Sequence, residues 1–380
     1  MTRSPLLPIL VAALGAASLG GCPKGGDNKK TTEPVTKRDA GSGHTLAPDD
    51  TRASELPPAP PLPPVPRGLP PLPAVRGITP EAVALGELLF HDTRLSSSGT
   101  LGCATCHDPT RGYAGEIQAT AAGQPNLRRT PALVNLAWAP ELGWDGRYGS
   151  ADSFLAVHVR GQLGDDLGDS LPRIANLPMY RLHFARVSAQ LAADDPSMAM
   201  ATTDPVNATA ARRALSAFVL TRYAGDSPWD RIESSARKPE PGVAPDPLLA
   251  GYLLFAGKAQ CGLCHTPPLY TDGGYHAVTV GKANDPGRGF VEKKKTGSFR
   301  TPTLRGAASR GRFFHTGEAT SLEQVVDSYI ALANAETRGP ALYDPLISKI
   351  RISSEERGQL LVFLRALSAT TPPPAKPALP

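Results

Sequence analysis

The stretch Cys103-Ala-Thr-Cys106-His107 returns as Cys261-Gly-Leu-Cys264-His265, and this repeat decides the organisation of the chain. The pattern C-x-x-C-H is the attachment signature of c-type haem, in which the cysteines bond to the porphyrin and the histidine becomes an iron ligand. Thioredoxin-like sites and a zinc site are the alternatives. Neither explains a histidine directly after both pairs, and zinc ligands are usually closer together in sequence. The two copies therefore predict two haems on two structural units.

The fifth cysteine, Cys22, accounts for the N-terminus of the chain. Arg3 precedes an apolar run from Leu6 to Leu19, which is too short for an ordinary membrane span, and a Gly-Gly pair comes directly before the cysteine. The arrangement resembles a bacterial lipoprotein signal, in which residues 1–21 are removed and Cys22 is lipidated. An ordinary secretory signal and an uncleaved anchor are the alternatives. We predict a periplasmic protein held to a membrane by lipid alone, and Pro23 favours the outer membrane.

Composition divides the remaining chain into folded and unfolded parts. Residues 22–77 are predicted to form a disordered tether, because ten prolines among the eighteen residues from Leu56 to Pro73 favour a polyproline II spacer. A ligand for a proline-binding domain is the alternative. Residues 370–380 are predicted to form a disordered tail. Between these segments we predict an N-terminal haem domain, residues 78–238, and a C-terminal haem domain, residues 239–369.

The folded part has the pattern of a mainly α-helical protein. Thr79-Pro80 is a typical helix start, and Ser321-x-x-Gln324 and Ser353-x-x-Glu356 are capping-box patterns before apolar runs. No period-two alternation is sustained, which argues against a large sheet. The net charge of +5 is small for 380 residues, and the basic residues are interleaved with acidic ones. We therefore expect no binding to nucleic acid.

Several spaced motifs resemble the bacterial dihaem cytochrome c peroxidases and the related MauG enzymes. The motifs are Leu85-Gly-Glu-Leu-Leu-Phe-His-Asp-Thr-Arg-Leu-Ser96, Thr130-Pro131, Trp144-Asp-Gly-Arg147, Phe299-Arg-Thr-Pro-Thr-Leu-Arg305 and Phe314-His315-Thr-Gly317. They stand in the family's order between about residue 78 and residue 369. The resemblance implies two c-type cytochrome domains, a peroxidatic N-terminal haem and an electron-transfer C-terminal haem. It also implies hydrogen peroxide as substrate, with a small redox protein such as cytochrome c or a cupredoxin as electron donor.

The resemblance assigns a bridging role to Trp144, which in the family lies between the haems and mediates electron transfer. A buried core aromatic is the alternative. Many family members place a blocking histidine after the first C-x-x-C-H, but residues 108–150 contain no histidine. We therefore predict an open sixth position on the iron that His107 binds, where peroxide can bind.

The second iron, bound by His265, has a different predicted partner. Family peroxidases use methionine as its sixth ligand, but no methionine stands in the C-terminal half of this chain. The matching position is Tyr329, and MauG enzymes use tyrosine there. An anionic oxygen ligand stabilises ferric iron. His276, His315 or no ligand at all are the alternatives.

The distal acid–base group departs from the family pattern. After the W-D-G-R motif, family members carry a glutamine, a proline and a glutamate, where this chain has Phe154, His158 and Gly164. We predict that Asp165, Asp166 or His158 moves the proton needed in peroxide cleavage. The alternative is that His158 is a surface residue and the aspartate pair a solvated turn.

A calcium ion often lies between the two domains in this family, with an asparagine two residues before the proline of the Thr-Pro motif. Here that residue is Arg129, and a cation in place of a ligand argues against calcium. The predicted function is a cytochrome-c-peroxidase-type oxidoreductase with two covalently bound haems c. The alternatives are MauG-like oxidative modification of a partner protein and a non-catalytic dihaem electron carrier or sensor.

Overall fold

The computed structural model describes residues 56–116, 118–195, 204–233, 245–278, 285–334, 344–369 and 374–380. These residues are mainly helical, as the sequence predicts, and include a two-stranded antiparallel sheet. The predicted signal peptide, Cys22 and residues 22–55 of the predicted tether lie outside the described residues. Within those residues, no helix combines the length and the apolar character needed to cross a membrane.

Ten α-helices and two short strands are found in the described part of the chain, and loops and short 3-10 turns join them. The strands β1 (Tyr275–Ala277) and β2 (Ser298–Arg300) pair with His276 opposite Phe299. The helices are α1 (Pro80–His91), α2 (Cys103–Cys106), α3 (Ala151–Leu163), α4 (Leu167–Ser170), α5 (Pro178–Asp194), α6 (Ala208–Leu220), α7 (Pro228–Ile232), α8 (Pro247–Ala256), α9 (Leu322–Asn334) and α10 (Ser354–Ala366).

Helix starts that the sequence predicts are present. The Thr79 side chain accepts a hydrogen bond from the backbone N–H of Ala82 at 3.2 Å, and α1 follows. Ser353 and Glu356 form a reciprocal capping box at the start of α10. At α9 only half of the capping box forms. The Ser321 side chain accepts a hydrogen bond from the backbone N–H of Gln324, but the Gln324 side chain accepts from the backbone N–H of Thr320 instead of that of Ser321. Local capping chemistry therefore sets these boundaries.

The two halves repeat one helix crossing. In the first half, α1 packs closely on α6, and a Cβ at Gly86 would lie 2.0 Å from the carbonyl oxygen of Ala214. In the second half, α8 packs on α10, and a Cβ at Gly251 would lie 2.1 Å from the carbonyl oxygen of Gln359. In each half, a glycine in the helix before the C-x-x-C-H motif therefore allows that helix to pack closely against the last helix of the half.

Two main hydrophobic cores form around these crossings. The first includes Leu85, Phe90 and Phe218, and the second includes Phe255 and Phe363. Trp229 of α7 packs in the second core, although it precedes the predicted boundary between residues 238 and 239. Residues 234–244, which contain that boundary, lie outside the described residues. The described residues of the second haem unit therefore include α7.

The proline-rich segment corrects one expectation. The sequence predicts that residues 22–77 are disordered, but the described residues 56–77 lie against the folded core. The carbonyl oxygens of Leu56, Gly68 and Pro71 accept hydrogen bonds from Arg186, Arg305 and Trp138. A polyproline chain has few N–H groups but keeps every carbonyl, so donors from the fold can hold it.

The predicted C-terminal tail is described only over residues 374–380. These residues form neither helix nor strand. The carbonyl oxygen of Pro380 accepts a hydrogen bond from Arg94 at 3.1 Å.

Candidate haem sites and the tryptophan between them

The two C-x-x-C-H motifs adopt closely similar short turns. Cys103–Cys106 form α2, and Cys261–Leu263 form a 3-10 turn. In both motifs the backbone N–H of the histidine donates to the carbonyl of the first cysteine, at 2.8 and 2.9 Å. Each turn therefore holds its cysteines and its histidine close together, and the second turn lines a cavity with all three.

The first cysteine of each motif has a raised pKa, which is unlike the cysteines of a redox or zinc site. Burial, and secondarily the neighbouring cysteine, raises the pKa of Cys103 and of Cys261 to about 12. Reactive cysteines and zinc ligands need the thiolate, which a low pKa favours. The motifs also stay apart, because the described residues hold no cluster of four cysteines. The two cysteine pairs therefore do not form one four-cysteine zinc site, although Cys264, Asp272 and His276 lie close enough together to hold a metal ion.

Both motif histidines are oriented in the same way. His107 Nδ1 lies 2.9 Å from the carbonyl oxygen of Tyr113, and His265 Nδ1 lies 3.1 Å from that of Tyr270. A carbonyl only accepts, so each Nδ1 carries the proton and each Nε2 keeps its lone pair for a metal. Burial lowers the pKa of both histidines to about 4, which keeps the rings neutral. The residues present fit two haem irons.

The carbonyls that orient the histidines come from two tyrosines with unusual backbones. Tyr113 has φ of 56° and Tyr270 has φ of 54°, in the left-handed region that side chains other than glycine rarely adopt. Both tyrosines are buried. Sequence reasoning missed them. The signal was present, since a tyrosine follows each motif histidine after five or six residues.

The second motif opens into a largely apolar cavity that is partly open to solvent. His265 and Tyr329 both line it, together with Cys261 and Cys264. Burial raises the pKa of the Tyr329 hydroxyl. The cavity therefore brings the predicted ligand Tyr329 to the same space as His265 and the two motif cysteines.

The two alternative ligands, His276 and His315, also line this cavity, and their contacts differ. His276 Nδ1 lies 2.6 Å from Asp344 and its Nε2 lies 2.8 Å from Asp272, so both ring nitrogens face carboxylates. Contact with Cys264 and with these two carboxylates raises the pKa of His276 to about 10. The His315 ring stacks on Phe299 with centroids 3.7 Å apart, and its Nε2 is buried without a hydrogen-bond partner among the described residues.

Trp144 is buried at the wall between this cavity and the adjoining cleft. Its Nε1 donates to the carbonyl oxygen of Arg129 at 3.0 Å, and the Arg129 guanidinium lies 4.9 Å from the indole centroid. The backbone of Pro131, two residues further along the chain, lies close enough to His107 to raise its pKa against the larger effect of burial. The segment from Arg129 to Pro131 therefore runs from the tryptophan to the first motif histidine.

The rest of the Trp-Asp-Gly-Arg motif holds this tryptophan in place. Asp145 accepts from Arg128 at 2.6 Å and pairs with Arg147. Gly146 has φ of +65°, and a Cβ there would lie 1.5 Å from the Tyr275 hydroxyl. The motif is therefore a rigid turn that only glycine permits at its third position.

On the other side of the first haem site, α3 presents His158. The His158 ring centroid lies 6.2 Å from that of His107, with the rings inclined at 59°. Phe154, one turn earlier, stacks on His158 with centroids 4.5 Å apart. Burial, and secondarily His107, lowers the pKa of His158 to about 3. His158 therefore lies close to His107 at the first motif.

Asp165 and Asp166 have structural roles instead. Asp165 pairs with Arg173. Asp166 caps α4 through the backbone N–H of Asp169 at 3.0 Å. Neither aspartate contacts His107 or His158 among the described residues, so the structure does not bring them to the first haem site.

The predicted absence of an interdomain calcium has a physical basis in Arg129. The residue is 3% exposed, and its Nε donates to the carbonyl oxygen of Phe314 at 2.6 Å. A guanidinium only donates and carries a positive charge, so it fills the place of a cation rather than that of a calcium ligand. The residues present do not fit calcium at this position.

Comparison with known proteins places the chain in a family. The model for di-haem cytochrome c peroxidases matches residues 80–238. The methylamine utilization protein MauG of Methylorubrum extorquens is 34% identical over 318 residues, which cover 82% of this chain and 84% of that protein. The chain belongs to the MauG and di-haem cytochrome c peroxidase family. It is therefore an oxidoreductase of the class that acts on peroxide, and family membership implies two c-type haems.

A further relative and a solved structure are also similar to this chain. The cytochrome c551 peroxidase of Nitrosomonas europaea is 26% identical over 325 residues, covering 82% of this chain and 87% of that protein. A solved structure, a MauG-like protein associated with microbial copper homeostasis, aligns with a TM-score of 0.64 at 24% identity. That alignment covers 82% of this chain and 95% of the other, and it shows that the fold is shared.

Proposed function

We propose that this dihaem enzyme reduces hydrogen peroxide at its N-terminal haem and shares oxidising equivalents with its C-terminal haem through Trp144. The observation that carries the proposal is the inequality of the two haem sites. His158 stands 6.2 Å from His107 at the first site, whereas Tyr329 lines the cavity that contains His265 at the second. Two equal sites would suit an electron carrier. Unequal sites suit an enzyme in which one haem reacts with peroxide and the other holds an oxidising equivalent.

The covalent attachment follows from the motifs. Cys103 and Cys106 would hold one haem, and Cys261 and Cys264 the other, with the histidine after each pair as an iron ligand. The haems supply one-electron redox chemistry that side chains lack. The chain orients each ligand through a tyrosine carbonyl and leaves Nε2 free for the iron.

The residues around the first haem would handle the proton of peroxide. His158 is the titratable side chain that the structure brings to His107. We assign it the acid–base role, which Asp165 and Asp166 cannot perform from their present contacts. Phe154 stacks on the imidazole, which fixes the ring plane and excludes water from that face.

The residues around the second haem would stabilise its oxidised states. We assign Tyr329 as the sixth ligand, since an anionic oxygen favours ferric and higher oxidation states over ferrous iron. Trp144 forms part of the wall of that cavity, and its indole N–H bonds the carbonyl oxygen of Arg129, two residues before the Pro131 backbone that affects the pKa of His107. Charge could therefore pass between the sites through contacts that the fold holds rigid.

The alternative of MauG-like oxidative modification of a partner protein is favoured by two observations. The 34% identical relative is a methylamine utilization protein MauG, and Tyr329 rather than methionine faces the second cavity. We also propose that the enzyme works in the periplasm, attached to the outer membrane through lipidated Cys22. Labelling with a fatty-acid analogue should mark the natural chain and spare the C22S variant.

Rapid mixing tests the proposed reaction. The full chain, with both haems attached, is mixed with hydrogen peroxide in the presence and absence of reduced cytochrome c or reduced cupredoxin. Continued oxidation of the donor supports the peroxidase. A long-lived oxidised form that reacts with neither donor but oxidises a protein supports the MauG-like alternative. A haem spectrum that peroxide leaves unchanged would refute the proposal and leave a carrier or sensor.

A further inference from the structure

We propose that His158 is the sixth ligand of the N-terminal haem iron in the resting enzyme. The proposal deepens the proposed function, because it rests on a haem held by Cys103, Cys106 and His107. It replaces the expectation of an open sixth position. It also changes the order of events, since peroxide would have to displace His158 before it could react.

The separation of the two rings is the first argument. A metal–imidazole bond is about 2 Å long, and each ring adds the distance from its nitrogen to its centre. Two histidines on opposite sides of one iron therefore have centroids roughly 6 Å apart. The observed separation of His107 and His158 is 6.2 Å. A histidine that only contacted iron-bound peroxide would stand about 3 Å farther away, by one hydrogen-bond length.

The availability of the His158 nitrogens is the second argument. Among the described residues, neither ring nitrogen of His158 has a hydrogen-bond partner, whereas Nδ1 of His107, His265 and His276 is bonded in each case. Phe154 stacks on one face of the ring. No protein group therefore occupies the ring nitrogens, and either of them is available to a metal.

The position of His158 in the fold is the third argument. It lies in the middle of α3, which Ser150 caps at the start and Gly164 ends with φ of +85°. Leu155 and Val159, on the adjoining face of the helix, are buried in the first core. The ring is therefore presented by a regular helix rather than by a loop, which favours one defined geometry opposite His107.

Spectra of the ferric protein without peroxide test this ligand directly. We expect the N-terminal haem of the natural chain to be low-spin, and H158A to convert it to high-spin. Added imidazole should restore the low-spin signal in H158A. The matched control is H183A in α5, a histidine for which no contact with His107 is found, and its spectrum should match that of the natural chain. A high-spin N-terminal haem in the natural chain would overturn the proposal.

A measurement on the natural chain tests the same ligand if H158A fails to fold or to take up its haems. Pulsed EPR of protein labelled with 15N-histidine reports the imidazoles bound to each iron. Two imidazoles on the N-terminal iron support the ligand, and one contradicts it. These readouts need no peroxide, so a failed peroxidase assay would count against the proposed function alone.

An independent observation at Arg129 carries a second inference. We infer that the Arg129 guanidinium replaces the interdomain calcium and fixes Trp144 from two directions. The backbone carbonyl of Arg129 accepts the indole N–H at 3.0 Å, and its side chain lies over the indole ring at 4.9 Å. The side chain is also anchored across the two halves, to the Phe314 carbonyl at 2.6 Å. No carboxylate pairs with it among the described residues.

The consequence is a protein that needs no calcium for communication between its haems. Chelation with EDTA should leave the melting temperature and the rate of electron exchange between the haems unchanged, and added calcium should not alter either. R129N restores the family's asparagine, and we expect it to acquire bound calcium and sensitivity to EDTA. The control R312Q alters a nearby arginine that does not contact Trp144. EDTA sensitivity of the natural chain, or R129N without calcium, would overturn the inference.

Discussion

At the residue scale, the two haem sites differ because a few side chains near equivalent motifs differ. The histidine after each motif is oriented by a backbone carbonyl in the same way. What stands opposite is not equivalent, since His158 faces the first site and Tyr329 lines the second. The two motifs therefore share one backbone arrangement, but the side chains near them give the two haem sites different chemistry.

Replacing Tyr329 by phenylalanine should change the second haem alone. Loss of an oxygen ligand removes the stabilisation of ferric iron, so Y329F should raise the midpoint potential of the C-terminal haem and alter its low-spin EPR signal. The measurement is potentiometry with EPR on the ferric protein. The control is Y252F, a tyrosine that packs on Trp229 in the second core. An unchanged signal in Y329F would rule out the ligand.

Replacing Trp144 should slow exchange between the haems. W144F keeps an aromatic ring but loses the N–H bond to Arg129 and the larger indole π system. We expect the rate of oxidation of the second haem after peroxide mixing to fall by on the order of tenfold or more. W138F is the control, because Trp138 instead bonds the carbonyl of Pro71. Equal rates in both variants would show that Trp144 only packs.

At the element scale, the crossing of α8 on α10 depends on the absence of a side chain at Gly251. A Cβ there would lie 2.1 Å from a backbone oxygen of Gln359, and overpacking costs about 1–3 kcal/mol. G251A should therefore lower the thermal midpoint. G358A, on the exposed face of α10 with nothing within 4 Å, should raise stability by about 0.5–1 kcal/mol. Calorimetry of both variants checks the contrast, and equal midpoints would contradict it.

Much of the element level is predictable from sequence. Thr79 and Ser353 start helices because a side-chain oxygen satisfies backbone N–H groups that the helix leaves unbonded. This chemistry is local, so it can be recognised without knowledge of the fold. The ordered course of residues 56–77 could not be predicted, because their carbonyls are held by donors as distant in sequence as Arg186 and Arg305.

At the scale of the whole molecule, a buried ion pair joins distant segments. Arg305 and Asp230 are fully buried, with Nη1 2.7 Å from Oδ2, and the Arg305 side chain also bonds the carbonyl of Gly68. Burial alone would raise the pKa of Asp230, but hydrogen bonds from Arg305 and Ser227 outweigh it and lower that pKa. The pair therefore connects α7, the second core and the proline-rich segment.

This pair predicts a pH dependence of stability. A carboxyl whose folded pKa lies below its ordinary value of 3.8 stabilises the fold above that pH and loses the contribution as pH falls through the folded pKa. D230N should cost about 3–5 kcal/mol near neutral pH, because it leaves a buried charge unpaired. The difference in melting temperature from the natural chain should shrink below about pH 4. A difference independent of pH would contradict this account.

The sequence by itself determined that the chain carries two c-type haem motifs in a mainly helical fold, because attachment chemistry and helix capping depend on residues close together in the chain. The tertiary structure decided what faces each motif histidine. His158 reaches His107, and Asp344 bonds the ring of His276. Such partners lie tens of residues apart, and only packing of the helices sets their distances.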